Sequence, residues 1–296
     1  MTENFTDKLQ NKIQETSTQL CLGFDLHLKD PPFFLKKSIE KHGLFNSIRE
    51  LSYSVLSSAE GKIPAVKFQM AFFEALGWQG FKILEELISY SKSKNYLTIL
   101  DAKRGDISTT MKAYGQMAFD CMKVDALTVQ PYMGSDIIEP LIPWLNKGSG
   151  IYIVFMSSNT SGHYLQNLST HSPTVAQQIF NHFDTYINKK LLNKSVGLVV
   201  GASQLKFFVD LLKDEGSEHP LLIPGLGAQK GEIGSEWSRV NGEGSKHLIS
   251  MSRALFDTGS SNRHSNSAEF LCINDFLDYF SIQLNKYRLE FSRPSY

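Results

Sequence analysis

The chain has 296 residues, of which 42% are hydrophobic and 20% are charged, a composition typical of a soluble globular protein with enough chain to bury a large core. Its 30 basic and 30 acidic residues give a formal net charge of zero, so the charge balance favours neither a nucleic-acid groove nor a membrane surface. The 3 cysteines lie far apart, without the spacing of a zinc site or a disulfide framework, which favours a reducing compartment and a cytoplasmic protein.

The N-terminal segment 1–17, MTENFTDKLQNKIQETS, is polar and lacks the apolar core of a signal peptide. We expect it to form an extra helix before the first strand. No apolar run reaches the roughly 18 residues that a membrane span needs.

Short apolar runs recur along the chain, and each ends in a polar or glycine-containing tip. Continuous apolar runs of this kind predict strands that are buried on both faces. The runs are LCLGFD (20–25), IPAVKF (63–68), LTILDAK (97–103), DALTVQ (125–130), GIYIVFMSS (150–158), VGLVVGA (196–202), LLIPGLG (221–227) and HLISMSR (247–253).

Helical patterns lie between these runs, with apolar residues at spacings of three and four. They include 72–93, 107–123 and 203–214, and 269–287 is predicted to be a closing helix. Strands that alternate with helices in this way predict an α/β fold, a (β/α)8 TIM barrel that occupies residues 1–296 as a single domain.

The segment 228–246, AQKGEIGSEWSRVNGEGSK, is long, polar and rich in glycine. A structureless loop of this length after the seventh strand is typical of a lid over a functional site. A disordered excursion without a function is the alternative interpretation.

The stretch LTILDAKRGDI (97–107) delivers unusual charge at the end of a strand. Asp101 and Lys103 are two residues apart, so they should face the same side, into the barrel mouth. Asp106 follows Gly105, at the point where the next helix should begin. A purely structural role as the N-cap of that helix is the alternative interpretation of Asp106. A structural ion pair is likewise the alternative for Asp101 and Lys103.

Several other strand tips would share that mouth, where barrels of this fold build their active sites. They carry Asp25, Lys67, Thr128, Ser158, Gln229 and Arg253. A lysine between two aspartates should have a raised pKa and stay protonated. Such a lysine is a poor Schiff-base nucleophile and a suitable proton donor to a carbanion.

The ends of the seventh and eighth strands predict a phosphate site. The turn PGLGAQKG begins at Pro224, and SMSR ends in Arg253. Barrels of this kind bind phosphate at the loops after these two strands, and arginine binds phosphate in a bidentate manner. A glycine-rich turn beside a surface arginine is the alternative.

The stretch LDAKRGDI resembles the signature of the orotidine 5′-phosphate decarboxylase family, in its longer free-standing bacterial branch. Five further stretches follow the order of that family over about 230 residues: CLGFD, VKFQMAFFE, SSN, PGLGAQ and SRA. The resemblance implies a homodimer with shared active sites, orotidine 5′-phosphate as substrate and UMP as product.

The resemblance also implies a role for each matching residue. Lys103 would be the cation and proton donor at pyrimidine C6, and Asp101, held by Lys67, would lie against the substrate carboxylate. Asp106 and Thr110 would reach into the partner's site. The remaining residues would bind substrate: Asp25 with Lys67 the ribose, Ser158 or its neighbour Ser157 the pyrimidine edge, and Gln229 and Arg253 the phosphate. Pro224 would also contact the substrate.

Three rival functions remain open. A metal-dependent sugar-phosphate decarboxylase or epimerase of the same barrel group would place a carboxylate where Lys67 stands. The cation there, and the absence of a ligand cluster or dinucleotide fingerprint, predict that no metal or cofactor is needed. A Schiff-base aldolase and a non-catalytic nucleotide-binding barrel are the other two.

Overall fold

The structure is a computed structural model that describes residues 3–25, 28, 31–169, 173–212, 218–226, 234–240, 246–256 and 270–292. The strands are β1 (Leu20–Phe24), β2 (Ala65–Gln69), β3 (Leu97–Arg104), β4 (Ala126–Val129), β5 (Gly150–Met156), β6 (Val196–Val200), β7 (Leu221–Pro224) and β8 (Leu248–Met251). Each strand pairs in parallel with the next, and β8 pairs with β1, so the sheet closes into a barrel. The predicted strands and fold class are therefore confirmed.

The helices alternate with the strands and surround the barrel. They are α1 (Phe5–Thr16), α2 (Phe33–His42), α3 (Leu44–Ser58), α4 (Met70–Glu74), α5 (Gly77–Ser93), α6 (Ser108–Gly115), α7 (Ile142–Leu145), α8 (Thr160–Gln166), α9 (Val175–Lys189), α10 (Leu205–Leu211), α11 (Gly234–Val240), α12 (Arg253–Phe256) and α13 (Ile273–Glu290). Among the described residues, none of these helices combines the length and the apolarity that crossing a membrane would require.

The predicted N-terminal helix is α1, and it covers the end of the barrel opposite the strand tips. Phe5, Leu9 and Ile13 are fully buried against inward-facing residues of the strands. The Phe5 ring meets the Tyr152 ring edge to face at 5.7 Å inside the barrel. Burying a large apolar side chain contributes roughly 1.5–3 kcal/mol, so α1 seals this end and leaves the other end as the accessible one.

The helical pattern predicted over 72–93 is interrupted in the structure. It is divided between α4 and α5, because the chain turns at Gly77 with a φ of +66°. That left-handed conformation costs glycine little and other residues more. The apolar spacing continues across the turn, which is why the sequence predicted a single helix.

The prediction of a structureless segment over 228–246 is wrong for residues 234–240, which form α11. The Trp237 ring packs on the core, and Val240 is buried. Arg239 Nη1 lies 3.5 Å from Asp210 Oδ1 on α10. The rest of the predicted lid, 228–233 and 241–245, lies outside the described residues, and closure over the mouth stays a prediction.

Candidate active site at the C-terminal mouth of the barrel

The C-terminal ends of the strands enclose a cavity of about 290 Å³. It gathers most of the residues that the sequence placed there, namely Asp25, Lys67, Asp101, Lys103, Ser157, Ser158, Pro224 and Arg253. Gln229 lies outside the described residues. Asp106 and Thr110 do not line the cavity of their own chain.

Lys67 lies at the floor of the cavity and is almost fully buried on β2. Its Nζ is 3.0 Å from Asp101 Oδ2 and 3.8 Å from Asp25 Oδ1. Burial alone would lower the pKa of Lys67, but the charges of Asp101 and Asp25 outweigh it and raise this pKa above its ordinary value. Lys67 is therefore a fixed cation, as expected of a lysine between two aspartates.

Asp101 is the centre of the array. Its Oδ1 accepts hydrogen bonds from Lys103 Nζ at 2.7 Å and from Thr128 Oγ1 at 2.9 Å, while its Oδ2 accepts from Lys67 Nζ. Burial would raise the pKa of this carboxyl, but the two lysines hold it well below its usual range. The charges thus alternate as Lys67, Asp101 and Lys103, which offsets much of the desolvation cost of the two buried members, Lys67 and Asp101.

Lys103 faces Asp101 as predicted, but its backbone conformation is not the extended one on which the prediction was based. Its φ is +48°, and the register between β3 and β4 shifts between Leu100 and Arg104. Simple strand alternation therefore does not apply at this position. A left-handed residue other than glycine costs roughly 1–2 kcal/mol, and the hydrogen bond from Lys103 N to Thr128 Oγ1, at 2.9 Å, holds the conformation.

The sequence argument assigned no role to two residues that contact the array. Thr128 bridges the Asp101 carboxylate and the Lys103 backbone N–H. The sequence predicted that Thr128 lies at a strand tip, but not that it contacts these two residues. Gln69 lines the cavity beside Asp101 and Lys103. Gln69 is two residues after Lys67 on β2, so its side chain should face the same side as that of Lys67. The spacing argument used for Asp101 and Lys103 would therefore have placed Gln69 in the mouth.

Asp25 follows β1 and lies on the far side of Lys67 from Asp101. Its Oδ1 is buried and has no hydrogen-bond partner among the described residues. Buried carboxylate oxygens are normally satisfied. This oxygen is therefore ready to accept a hydrogen bond from a ligand hydroxyl in the cavity.

Both serines after β5 line the cavity. Ser157 Oγ accepts a hydrogen bond from Gln166 Nε2 of α8 at 2.9 Å. Ser158 lies against β6, where a Cβ on Gly201 would come within 2.8 Å of the Ser158 nitrogen. Glycine at 201 thus permits the close approach that brings Ser158 to the mouth.

The opposite side of the cavity has the composition of an anion site. Pro224 ends β7 and Gly225 follows it, while Ser250, Ser252 and Arg253 come from the end of β8. The Arg253 side chain is exposed and forms no ion pair with any carboxylate among the described residues. A guanidinium beside hydroxyl groups is suited to binding phosphate.

Asp106 does not cap the helix that follows it. The N-cap of α6 is Ile107, and Asp106 Oδ1 accepts a hydrogen bond from the Ile107 backbone N–H at 2.8 Å. The N-cap interpretation of Asp106 is therefore wrong, because the helix starts one residue later than expected. Thr110 is exposed on α6.

Across the described ranges, no group of three or more His, Cys, Asp and Glu side chains converges to hold a metal ion. Independence from metal and cofactor stays a prediction that depends on Lys67.

The comparisons with known proteins agree with this geometry. The family model described as Orotidine 5′-phosphate decarboxylase / HUMPS matches residues 18–265. The chain is 30% identical over 298 residues to the orotidine 5′-phosphate decarboxylase of Rhodopirellula baltica, covering 95% of this chain and 98% of the relative. It is 32% identical over 267 residues to that of Dehalococcoides mccartyi, covering 89% and 93%.

Among solved structures, that of the Plasmodium berghei orotidine 5′-monophosphate decarboxylase superposes with a TM-score of 0.73 at 20% identity, over 97% of this chain and all (100%) of the other. This likeness concerns the fold, whereas the family match and the identities of 30% and 32% concern the family. The chain belongs to the orotidine 5′-phosphate decarboxylase / HUMPS family.

Proposed function

We propose that this protein decarboxylates orotidine 5′-phosphate to UMP, the last step of de novo pyrimidine biosynthesis, without a metal or cofactor. The observation that carries the proposal is the array of alternating charge in the cavity, in which Asp101 lies 3.0 Å from Lys67 Nζ and 2.7 Å from Lys103 Nζ. The family membership and the names of the relatives support the same reaction.

In this reaction the bond between C6 and the carboxylate breaks, carbon dioxide leaves, and the electron pair stays on C6. The pyrimidine ring stabilises that carbanion poorly. The Lys103 ammonium, already held by Asp101 on a strand end, stabilises the negative charge as it develops and then donates a proton to C6. Such a preorganised charge needs no reorganisation during the reaction, and this is usually the largest contribution to catalysis.

Asp101 would lie against the substrate carboxylate, with Lys67 behind it as the counter-charge. Two carboxylates this close raise the free energy of the bound substrate, and the repulsion is relieved when carbon dioxide leaves. We rank this contribution below the stabilisation by Lys103. Binding of the distant phosphate stabilises the crowded arrangement.

The other residues at the mouth would bind the rest of the substrate. Asp25, whose Oδ1 lacks a partner among the described residues, would accept from a ribose hydroxyl together with Lys67. Ser158 would bind the pyrimidine edge, with Ser157 as the alternative. The phosphate would lie against the loops after β7 and β8, bound by Gln229 and Arg253, and Pro224 would line the substrate cavity.

The observations disfavour the rival functions. Lys67 occupies the β2 position where a metal-dependent relative would need a carboxylate. Since the pKa of Lys67 is raised, this lysine is protonated at neutral pH and is a poor Schiff-base nucleophile. A non-catalytic barrel has no need for the buried charges of Lys67 and Asp101 in a cavity, because keeping them there costs free energy.

We also propose a two-fold homodimer in which each chain completes the partner's site with Asp106 and Thr110. Neither residue lines its own cavity. Apolar residues are exposed beside them, Ile107 at 47% and, after the adjacent strand β4, Tyr132 at 91% and Met133 at 50%. Exposed apolar groups of this kind mark interaction surfaces, and a two-fold axis would exchange the same residues in both directions.

Exchange of subunits between two inactive variants tests this shared site. Lys103→Ala and Asp106→Ala each disable one half of the composite site. Random pairing makes half the dimers mixed, each with one intact site, so activity should return to about a quarter of wild type. No recovery after verified exchange would place Asp106 in its own chain's site.

We place this single-domain enzyme, residues 1–296, in the cytoplasm, with no nucleic-acid or membrane partner. The neutral charge balance and the free state of the three described cysteines support this assignment.

An ultraviolet assay tests the proposed reaction. The purified protein should turn over orotidine 5′-phosphate to UMP with release of carbon dioxide, and borohydride added during turnover should trap no covalent adduct. A protein that binds UMP and does not consume orotidine 5′-phosphate would contradict the proposal.

A further inference from the structure

The side-chain amide of Gln69 lies between the backbone carbonyl of Asp101 and the ammonium group of Lys103. If its oxygen faced the Asp101 carbonyl, two acceptors would meet at 2.5 Å, and the amide nitrogen would have only Asp101 Oδ2 at 3.3 Å. In the other orientation the nitrogen donates to the Asp101 carbonyl, and Oε1 accepts from Lys103 Nζ at 3.3 Å. Because only the second orientation satisfies both ends of the amide, we assign it.

We propose that Gln69 is a positioning residue that fixes the orientation of the Lys103 ammonium, an inference that rests on the proposed decarboxylation. An ammonium has three N–H donors. One is held by Asp101 Oδ1 at 2.7 Å and a second by Gln69 Oε1 at 3.3 Å. The third has no acceptor among the described residues, and Lys103 lines the cavity, so this N–H is available to C6 of a substrate bound there.

The position of Lys103 explains why it needs such a partner. Its side chain is 41% exposed, unlike that of Lys67 at 6%. A lysine side chain has large rotational freedom, and a single hydrogen bond leaves rotation about that bond open. A second acceptor on a different strand removes this freedom, because Gln69 is on β2 and Asp101 is on β3. A group held from two rigid strands delivers its proton along one direction.

Gln69→Met tests the inference, since methionine has nearly the length of glutamine and accepts no strong hydrogen bond. We expect kcat to fall about 10- to 100-fold, the usual effect of losing a hydrogen bond to a charged group. The affinity for UMP should stay within about twofold of the wild-type value, because binding of the product does not require the Lys103 ammonium to be oriented for proton transfer. Gln14→Met, at an exposed position of α1 on the closed end of the barrel, is the matched control and should leave both values unchanged.

A second readout does not depend on turnover. The mobility of the Lys103 side chain can be followed by NMR relaxation of the 13Cε group of unmodified 13C-labelled lysine, assigned with Lys103→Arg. A second acceptor restricts rotation of the ammonium, so its loss in Gln69→Met should lower the order parameter of the Lys103 13Cε group. The substitution leaves unchanged the charged groups that face Lys103 around the cavity, which are Asp101, Lys67, Asp25 and Arg253.

The outcomes separate the two proposals. A kcat within twofold of wild type, an unchanged order parameter of Lys103, or a loss of UMP affinity that parallels the loss of kcat would each overturn the positioning role of Gln69. A wild-type protein that fails to consume orotidine 5′-phosphate would overturn the proposed function instead. In that case the order parameter of Lys103 still decides whether Gln69 holds the ammonium.

Discussion

Replacing Lys67 with methionine removes the buried cation and leaves its two carboxylate neighbours in place. Lys67 Nζ lies 3.0 Å from Asp101 Oδ2, and the Asp101 side chain is only 10% exposed. The methionine fills most of the volume, so the change concerns charge more than packing. Asp101 then keeps the hydrogen bonds from Lys103 and Thr128 but loses its most buried counter-charge.

Breaking a buried ion pair by removing one partner typically costs about 3–5 kcal/mol of the free energy of unfolding. Because Lys103 still compensates Asp101, we expect a loss near the lower end, about 3 kcal/mol at pH 7. The double variant Lys67→Met/Asp101→Leu removes the uncompensated carboxylate as well. Replacing both charges with apolar groups is often neutral, so the double variant should be more stable than Lys67→Met alone.

Urea unfolding at pH 7, followed by circular dichroism, measures these differences. Lys194→Met is the matched control, since Lys194 forms an exposed pair with Asp7 at 3.2 Å and such pairs contribute about 0–1 kcal/mol. A loss below about 1 kcal/mol for Lys67→Met, equal to that of the control, would refute the reasoning. A double variant less stable than Lys67→Met would refute it as well.

Three further predictions concern the same cavity. Arg253→Ala should cost about 2–3 kcal/mol of transition-state stabilisation with orotidine 5′-phosphate and little with the phosphate-free nucleoside, measured as kcat/KM; an equal loss with both would make Arg253 structural. Activity should survive EDTA and dialysis, because Lys67 stands where a metal ligand would be needed; a loss that Mg²⁺ restores would contradict this. The stability gained from the Lys67–Asp101 pair should be complete between about pH 4 and pH 10. Folding lowers the pKa of Asp101, so the stability contributed by Asp101 disappears as the pH falls below this range. Folding raises the pKa of Lys67, so the stability contributed by Lys67 disappears as the pH rises above it. The difference in urea midpoint between wild type and Lys67→Met/Asp101→Leu, measured across pH, checks both limits; a difference constant from pH 2 to pH 12 would refute them.

The sequence predicted the barrel because buried parallel strands produce continuous apolar runs, and all of the predicted runs became strands. It placed Lys67, Asp101 and Lys103 together because strand ends of this fold share one mouth. It did not predict the left-handed backbone at Lys103, which depends on a register shift between β3 and β4. Neighbouring strands set such a shift, and no local pattern in LTILDAKRGDI encodes it.

Two other differences have different causes. The break at Gly77 comes from its left-handed backbone, which the continuous apolar spacing conceals. The helix at 234–240 depends on packing against distant residues, shown by the core contacts of Trp237. The site role of Gln69 could have been found, since its two-residue spacing from Lys67 is visible in VKFQ. Its contact with Lys103 could not, because that contact depends on how β2 and β3 align.

The central claim is that the Lys103 ammonium stabilises and protonates the carbanion at C6. The most direct test is kcat for orotidine 5′-phosphate with Lys103→Ala, measured beside the affinity of the variant for UMP. The account predicts that kcat collapses by several orders of magnitude while UMP still binds, because the lysine acts in the transition state. Turnover within a few-fold of wild type would contradict it and place the reaction centre elsewhere in the chain.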